Sequence, residues 1–207
     1  MIKGIIFDLG GVYLNRGIRK AFRENFTKMF NLSFDENKPF PIFGENLYPS
    51  GFVSGKTSEE QYWKLCENDL GIKIDPEKLR TILLNTFEEQ KDVVALVKKL
   101  KGIYQLGLLS DMPKEWADWL ENRFHVFRNF DAVVISGYEG TEKPNPEIYH
   151  LILKKLKLKA EECIFIDDWE RNLEYPPKIG MKTVLFKNSE QLKKELKELG
   201  ITVLNYA

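Results

Sequence analysis

The chain has 207 residues, 43% hydrophobic and 30% charged, with Lys+Arg and Asp+Glu both at 31. That length suffices for one substantial core, or one core with a small inserted lid. The cancelled formal charge argues against a general nucleic-acid binder, which carries a basic excess, and no apolar window is long enough to span a bilayer.

The predicted elements alternate along most of the chain. Residues 2–7 form a short apolar run that ends at Asp8-Leu9-Gly10-Gly11. Nearly continuous apolar runs backed by turn residues fit buried parallel strands. The pattern recurs at 103–109 before Ser110, at 132–135 before Ser136, at 163–166 before Asp167, and at 182–186 after Gly180. Helical periodicity lies between them, at 91–101, 147–158 and 190–199, the last stopping at Gly200. Residues 201–204 read as a further edge strand. Strands alternating with helices of this length predict an α/β fold: a Rossmann-like parallel sheet flanked by helices.

Residues 16–90 break the rhythm. They are rich in aromatics and hold no buried-strand pattern. Residues 19–30 and 76–89 read as helices, and Thr57-Ser58-Glu59-Glu60 reads as a capping box opening a third, Thr57 being the cap. Pro39, Pro41, Gly44, Pro49 and Gly51 mark loops between them. The expected organisation is therefore an α/β core made of 1–15 plus 91–207, with 16–90 inserted as a small α-helical cap. Phe22, Phe26, Phe30, Tyr62 and Trp63 are expected to form the core of that cap.

Other features take simpler readings. Gly51-Phe52-Val53-Ser54-Gly55-Lys56-Thr57 imitates a phosphate-binding loop, but the spacing is one residue short and no strand precedes it. It reads as a loop leading into a capped helix. Cys66 and Cys163 are far apart and outside any CxxC spacing, so they read as reduced, buried thiols. The first residues lack a basic n-region, an apolar h-region and a cleavage site. A cytoplasmic protein is expected, with no nucleic-acid or membrane partner, and the oligomeric state is left open. His125 and His150 show no partner pattern and read as surface or packing residues. Lys154-Lys155 and Lys193-Lys194 read as solvated helix faces.

In an open parallel α/β sheet, ligands bind beyond the carboxyl ends of the strands. The residues there are Asp8, Ser110, Ser136 with Lys143 nearby, and Asp167-Asp168. Three carboxylates converging on one edge repel each other unless a cation or proton compensates, and Mg²⁺ is a hard cation suited to oxygen ligands. Ser110 can donate a hydrogen bond to an anionic oxygen, and Lys143 supplies positive charge. Such a set suits phosphoryl transfer through an aspartyl-phosphate.

These residues also carry a resemblance. Ile5-Ile6-Phe7-Asp8-Leu9-Gly10-Gly11-Val12, Leu108-Leu109-Ser110, Lys143-Pro144-Asn145-Pro146-Glu147-Ile148-Tyr149 and Ile164-Phe165-Ile166-Asp167-Asp168 resemble, in order, the four motifs of the haloacid dehalogenase-like superfamily. The inserted helical segment is similar to the small cap of many members. The resemblance implies that Asp8 attacks phosphorus. The metal residues are Asp8, Gly10, Asp167 and Asp168: Asp168 binds Mg²⁺ directly, Asp167 supports it directly or through water, and the ion also takes the Gly10 backbone carbonyl. Ser110 and Lys143 hold the phosphoryl oxygens, and Asn172 orients the metal site. The implied substrate is a small phosphorylated metabolite.

Two positions depart from the family pattern. Most phosphatase members carry an acid–base aspartate where this chain has Gly10. Asp111 stands where the branch usually has Asn, and reads as a helix cap before Met112-Pro113. Two other functions stay open on sequence: a 2-haloacid dehalogenase-type hydrolase, in which Asp8 would attack carbon without needing a divalent ion, and a catalytically weakened relative that only binds.

Overall fold

A computed structural model of the chain describes residues 1–15, 24, 26–30, 42 and 46–201. Its centre is a five-stranded parallel sheet ordered β3-β2-β1-β4-β5. The strands are β1 (Gly4–Phe7), β2 (Gln105–Ser110), β3 (Ala132–Ile135), β4 (Cys163–Asp167) and β5 (Lys182–Leu185). β1 is central, and its Phe7 pairs with Leu108 on one side and Ile166 on the other. All five strands run the same way, so their carboxyl ends share one edge. Asp8 extends that edge, its N–H donating to the Ile166 carbonyl at 2.9 Å.

Side chains alternate across a strand, so each strand feeds two cores. Ile5 and Phe7 enter one core; Ile6 enters the other. The second core is covered by α6 (Pro146–Leu156) through Ile148, Tyr149, Ile152, Leu153 and Leu156. The first core is covered by α3 (Lys91–Leu100), α4 (Lys114–Phe124) and α7 (Ser189–Glu198). A four-residue helix, α5 (Ser136–Glu139), follows β3.

Two helices lie outside the alternating series: α1 (Glu59–Leu70) and α2 (Pro76–Asn85). Their buried Tyr62, Trp63, Leu79, Leu83 and Leu84 belong to the first core, which therefore runs without a break from the sheet into this region. Of the helix expected at 19–30, residues 24 and 26–30 are helical. Phe26 is buried against Phe30, with ring centroids 4.7 Å apart; Phe22 lies outside the described residues. The edge strand expected at 201–204 also lies outside them except for Ile201, which is buried but not in a strand. Among the described residues no helix is long and apolar enough to cross a membrane.

Local detail corrects two expectations. The cap of α1 is Ser58, not Thr57: Ser58 Oγ accepts from the Gln61 N–H at 3.2 Å, and Gln61 Oε1 accepts from the Ser58 N–H at 3.0 Å. Thr57 is unavailable because its hydroxyl donates to the Ser50 carbonyl, closing the 50–57 loop. Likewise α2 stops at Asn85 rather than at 89. Residues 88–90 are claimed by the chain after β1, with Asn15 N–H donating to Glu88 at 2.8 Å and Gln90 N–H donating to Tyr13 at 3.0 Å.

The phosphate-loop imitation at 51–57 is a set of turns packed on the start of α5. Gly55 adopts φ +69°, and a Cβ there would lie 2.5 Å from the Gly137 carbonyl oxygen. Gly71, the C-cap of α1, has nearly the same φ, +64°, with open space around it. Gly71→Ala is expected to cost only left-handed strain, about 1–2 kcal/mol. Gly55→Ala adds a backbone clash and is expected to cost about 1–3 kcal/mol more. Urea denaturation of the two variants checks this, and equal losses would contradict the close approach.

Candidate active site

The shared carboxyl edge gathers the predicted residues. Asp8 follows β1, Ser110 ends β2 and Asp167 ends β4. Lys143 lies on the connection from α5 to α6. All four are buried. The Lys143 ammonium donates to Asp8 Oδ1 at 2.8 Å and to Asp167 Oδ2 at 2.6 Å, with the Leu109 carbonyl at 3.4 Å. The carboxylates of Asp8, Asp167 and Asp168 approach to within 4.8 Å of one another, a geometry that could hold a metal ion.

Asp167 is already heavily engaged. Besides Lys143, its Oδ1 accepts from the Trp169 N–H at 2.8 Å, and Asn172 Nδ2 reaches both carboxylate oxygens at 3.1 Å. Asn172 thus orients Asp167. It sits in a short helical turn, Glu170–Leu173, whose Asn172 carbonyl accepts from the Tyr149 hydroxyl of α6 at 2.7 Å.

Burial pushes the Asp8 carboxyl up to about 7; Lys143 pulls it down, while Asp167 and Asp168 push it up. Burial also disfavours the charge on Lys143. The carboxylates of Asp167, Asp8 and Asp111 outweigh that and hold its pKa well above the ordinary lysine value. The ammonium is therefore a fixed positive charge, and the Asp8 carboxyl sits above the ordinary carboxylate range.

Asp111 is not a helix cap, which corrects the sequence reading. The N-cap position of α4 is Pro113, with no side-chain cap bond. Asp111 Oδ1 instead accepts the Lys143 backbone N–H at 2.9 Å. Its Oδ2 is buried without a hydrogen-bond partner. Burial raises the Asp111 carboxyl to about 6, against the pull of Lys143. Across the same loop, Arg171 Nη2 donates to the Lys143 carbonyl at 3.1 Å and its guanidinium stacks over Trp169 at 4.3 Å. Ser136 does not line the site. Its hydroxyl donates to the Val53 carbonyl at 2.6 Å and accepts the Met112 N–H at 2.9 Å, tying the 51–57 loop to the sheet edge.

A cavity of about 90 Å³ opens over this floor. Among the described residues it is lined by the polar Asp8, Gly10, Ser110, Asp111, Lys143 and Asn172 and by Leu47, Tyr48, Leu83, Phe87, Met112, Pro113 and Trp116. Sequence reasoning placed the floor but missed Asp111, Arg171 and the wall. Asp111 had a usable signal, being a carboxylate directly after a site serine. The wall had none, since its members look like ordinary core residues. The remaining candidates stay away from the cavity. His125 caps α4 in a left-handed conformation, His150 lies 3.0 Å from the Tyr175 hydroxyl, and Cys66 and Cys163 are buried free thiols.

Comparison with known proteins agrees with this architecture. The sequence model of the haloacid dehalogenase-like hydrolases matches residues 2–175. Glyceraldehyde 3-phosphate phosphatase of Methanocaldococcus jannaschii is 30% identical over 89% of this chain and 84% of its own length. Acyl-CoA dehydrogenase family member 10 of mouse is 29% identical over 72% of this chain, which spans only 14% of that protein. A HAD family enzyme of Bacteroides thetaiotaomicron, solved in complex with magnesium and inorganic phosphate, is similar with a TM-score of 0.70. It shares 21% identity, covering 91% of this chain and 96% of that one, a likeness of fold.

A buried ion pair that loses one partner leaves an uncompensated buried charge. Lys143→Met leaves Asp8 and Asp167 facing each other without their shared cation. It is expected to lower stability in the absence of divalent ions by about 3–5 kcal/mol, measured by urea denaturation. An unchanged midpoint would show that the pair is not held together as described.

Proposed function

The chain belongs to the haloacid dehalogenase-like hydrolase family, and from that membership we propose that it is a magnesium-dependent phosphatase that acts on a small phosphorylated metabolite through Asp8. The observation that carries this reading is the buried cluster itself: three carboxylates within 4.8 Å, with one ammonium bonded to two of them. A single ammonium against three carboxylates leaves two negative charges, which suits a divalent cation. The donors are hard oxygens, the kind Mg²⁺ prefers. Because both Asp167 oxygens are engaged, Asp8, Asp168 and the Gly10 carbonyl would hold the ion, with Asp167 behind them. The similar enzyme solved with magnesium and inorganic phosphate and the relative named as a phosphatase support the assignment. A dehalogenase has no need of a divalent ion and leaves the three-carboxylate cluster without a task.

In this mechanism the Asp8 carboxylate attacks phosphorus as the bond to the leaving oxygen breaks, giving an aspartyl-phosphate that water then hydrolyses. Lys143 keeps Asp8 oriented and, with the Ser110 hydroxyl, holds the phosphoryl oxygens. Bound magnesium would supply positive charge to the transferring phosphoryl group. We read residues 16–90 as the cap over the site, since Leu47, Tyr48, Leu83 and Phe87 of the cavity wall come from it. The balanced charge and free thiols fit a cytoplasmic enzyme without a nucleic-acid partner.

Gly10 gives the leaving group no proton. Acid–base groups contribute roughly 10²–10⁴-fold, so turnover should depend steeply on the leaving group. A Cβ added at Gly10 meets no described atom within 4 Å, so the backbone there has room for a side chain to begin. Two outcomes are expected in phosphate-release assays. First, hydrolysis of an aryl phosphate requires Mg²⁺, stops with chelator and is abolished in Asp8→Asn; turnover that survives that substitution would overturn the proposal. Second, wild type hydrolyses aryl phosphates much faster than primary alkyl phosphates, and Gly10→Asp narrows the gap by about 10²-fold. An unchanged ratio would mean that position 10 has no bearing on proton donation.

A further inference from the structure

The geometry points to a substrate whose non-phosphate part is apolar and uncharged, an inference that rests on the phosphatase reading above. The floor of the cavity accounts for the phosphoryl group. The other described lining residues are Leu47, Tyr48, Leu83, Phe87, Met112, Pro113 and Trp116, apolar but for the Tyr48 hydroxyl and two N–H groups. Both of those N–H groups are already used. The Trp116 indole N–H donates to Glu59 Oε1 at 3.1 Å, and the Met112 N–H donates to Ser136 Oγ. Hydroxyl groups carried against its apolar members would leave water without gaining partners there, which disfavours binding.

Asp111 adds a second filter. Asp111 lines the cavity; its Oδ1 is taken by the Lys143 N–H, and its Oδ2 is buried without a partner. An ionised carboxylate there repels another anion. A second acidic group on the substrate would meet it inside a partly desolvated cavity, where Coulomb repulsion is strong. The wall thus selects against polyol phosphates, and Asp111 selects against phosphorylated acids. Aryl and alkenyl phosphates, whose leaving oxygens ask least of a proton donor, remain as the class that fits; short alkyl phosphates fit the wall but turn over slowly.

Competition separates this selectivity from leaving-group effects. With the full chain, Mg²⁺ and 4-nitrophenyl phosphate as reporter, inhibition constants are measured for n-butyl phosphate, glycerol 3-phosphate and 3-phosphoglycerate. Butyl phosphate is expected to bind roughly tenfold or more tightly than glycerol 3-phosphate, and 3-phosphoglycerate more weakly still. In the nearly isosteric Asp111→Asn, the penalty of 3-phosphoglycerate relative to glycerol 3-phosphate should shrink. Equal or reversed affinity of the butyl and glycerol esters would overturn the apolar assignment while the reporter hydrolysis upholds the phosphatase reading. An unchanged carboxylate penalty in Asp111→Asn would remove Asp111 from the argument. If Mg²⁺ elicits no hydrolysis of the reporter, the phosphatase reading fails and this inference falls with it.

Discussion

The Lys143 ammonium, buried and bonded to Asp8 at 2.8 Å and Asp167 at 2.6 Å, is the contact on which the rest of the site depends. Charges this deeply buried persist only when paired and hydrogen-bonded, so everything that places Lys143 has to be accurate. The parallel pairing of β1 with β4 brings the two carboxylates to adjacent strand ends. The Asp111 carboxylate holds the Lys143 N–H, and the Arg171 guanidinium holds its carbonyl. Asn172 and the Trp169 N–H lock Asp167 in turn. One cation therefore organises the ends of β1 and β4 and the loop before α6.

The same arrangement separates the roles of the acids. Asp167 is saturated by donors and serves as an anchor. Asp8 makes fewer contacts, and burial with two neighbouring acids lifts it to about 7. It is thus the group whose charge state responds to what binds. A divalent cation at the cluster would favour the ionised, nucleophilic form, linking metal binding to activation of the nucleophile. Gly10, with open space beside it, leaves this chemistry without the proton donor that an aspartate would place there.

The sheet and the site floor were legible in the sequence because both rest on local signals. Buried strands read as apolar runs, and parallel topology puts the residue after each run at a common edge. Asp8, Ser110 and Asp167 followed from that rule, and Lys143 from its Lys-Pro-Asn-Pro setting. Where the sequence misled, a distant contact overrode a local preference. Thr57 looked like a cap but bonds Ser50, so Ser58 caps the helix instead. Residues 86–89 looked helical but turn to pair with 13–15. Asp111 looked like a cap and instead reaches across to Lys143. The cavity wall was invisible because Leu83, Phe87 and Trp116 are core residues by pattern, and only tertiary packing decides which of their faces meets the cavity.

The most direct test is calorimetric titration of the full chain with Mg²⁺ between pH 6 and pH 8. A carboxyl that titrates near 7 competes with the cation for Asp8. Below that pH the affinity should therefore fall by about tenfold per unit, and binding should release a proton. The account predicts one Mg²⁺ site with this dependence, lost in Asp168→Asn. Binding that is independent of pH across the range, or that survives Asp168→Asn intact, would contradict it.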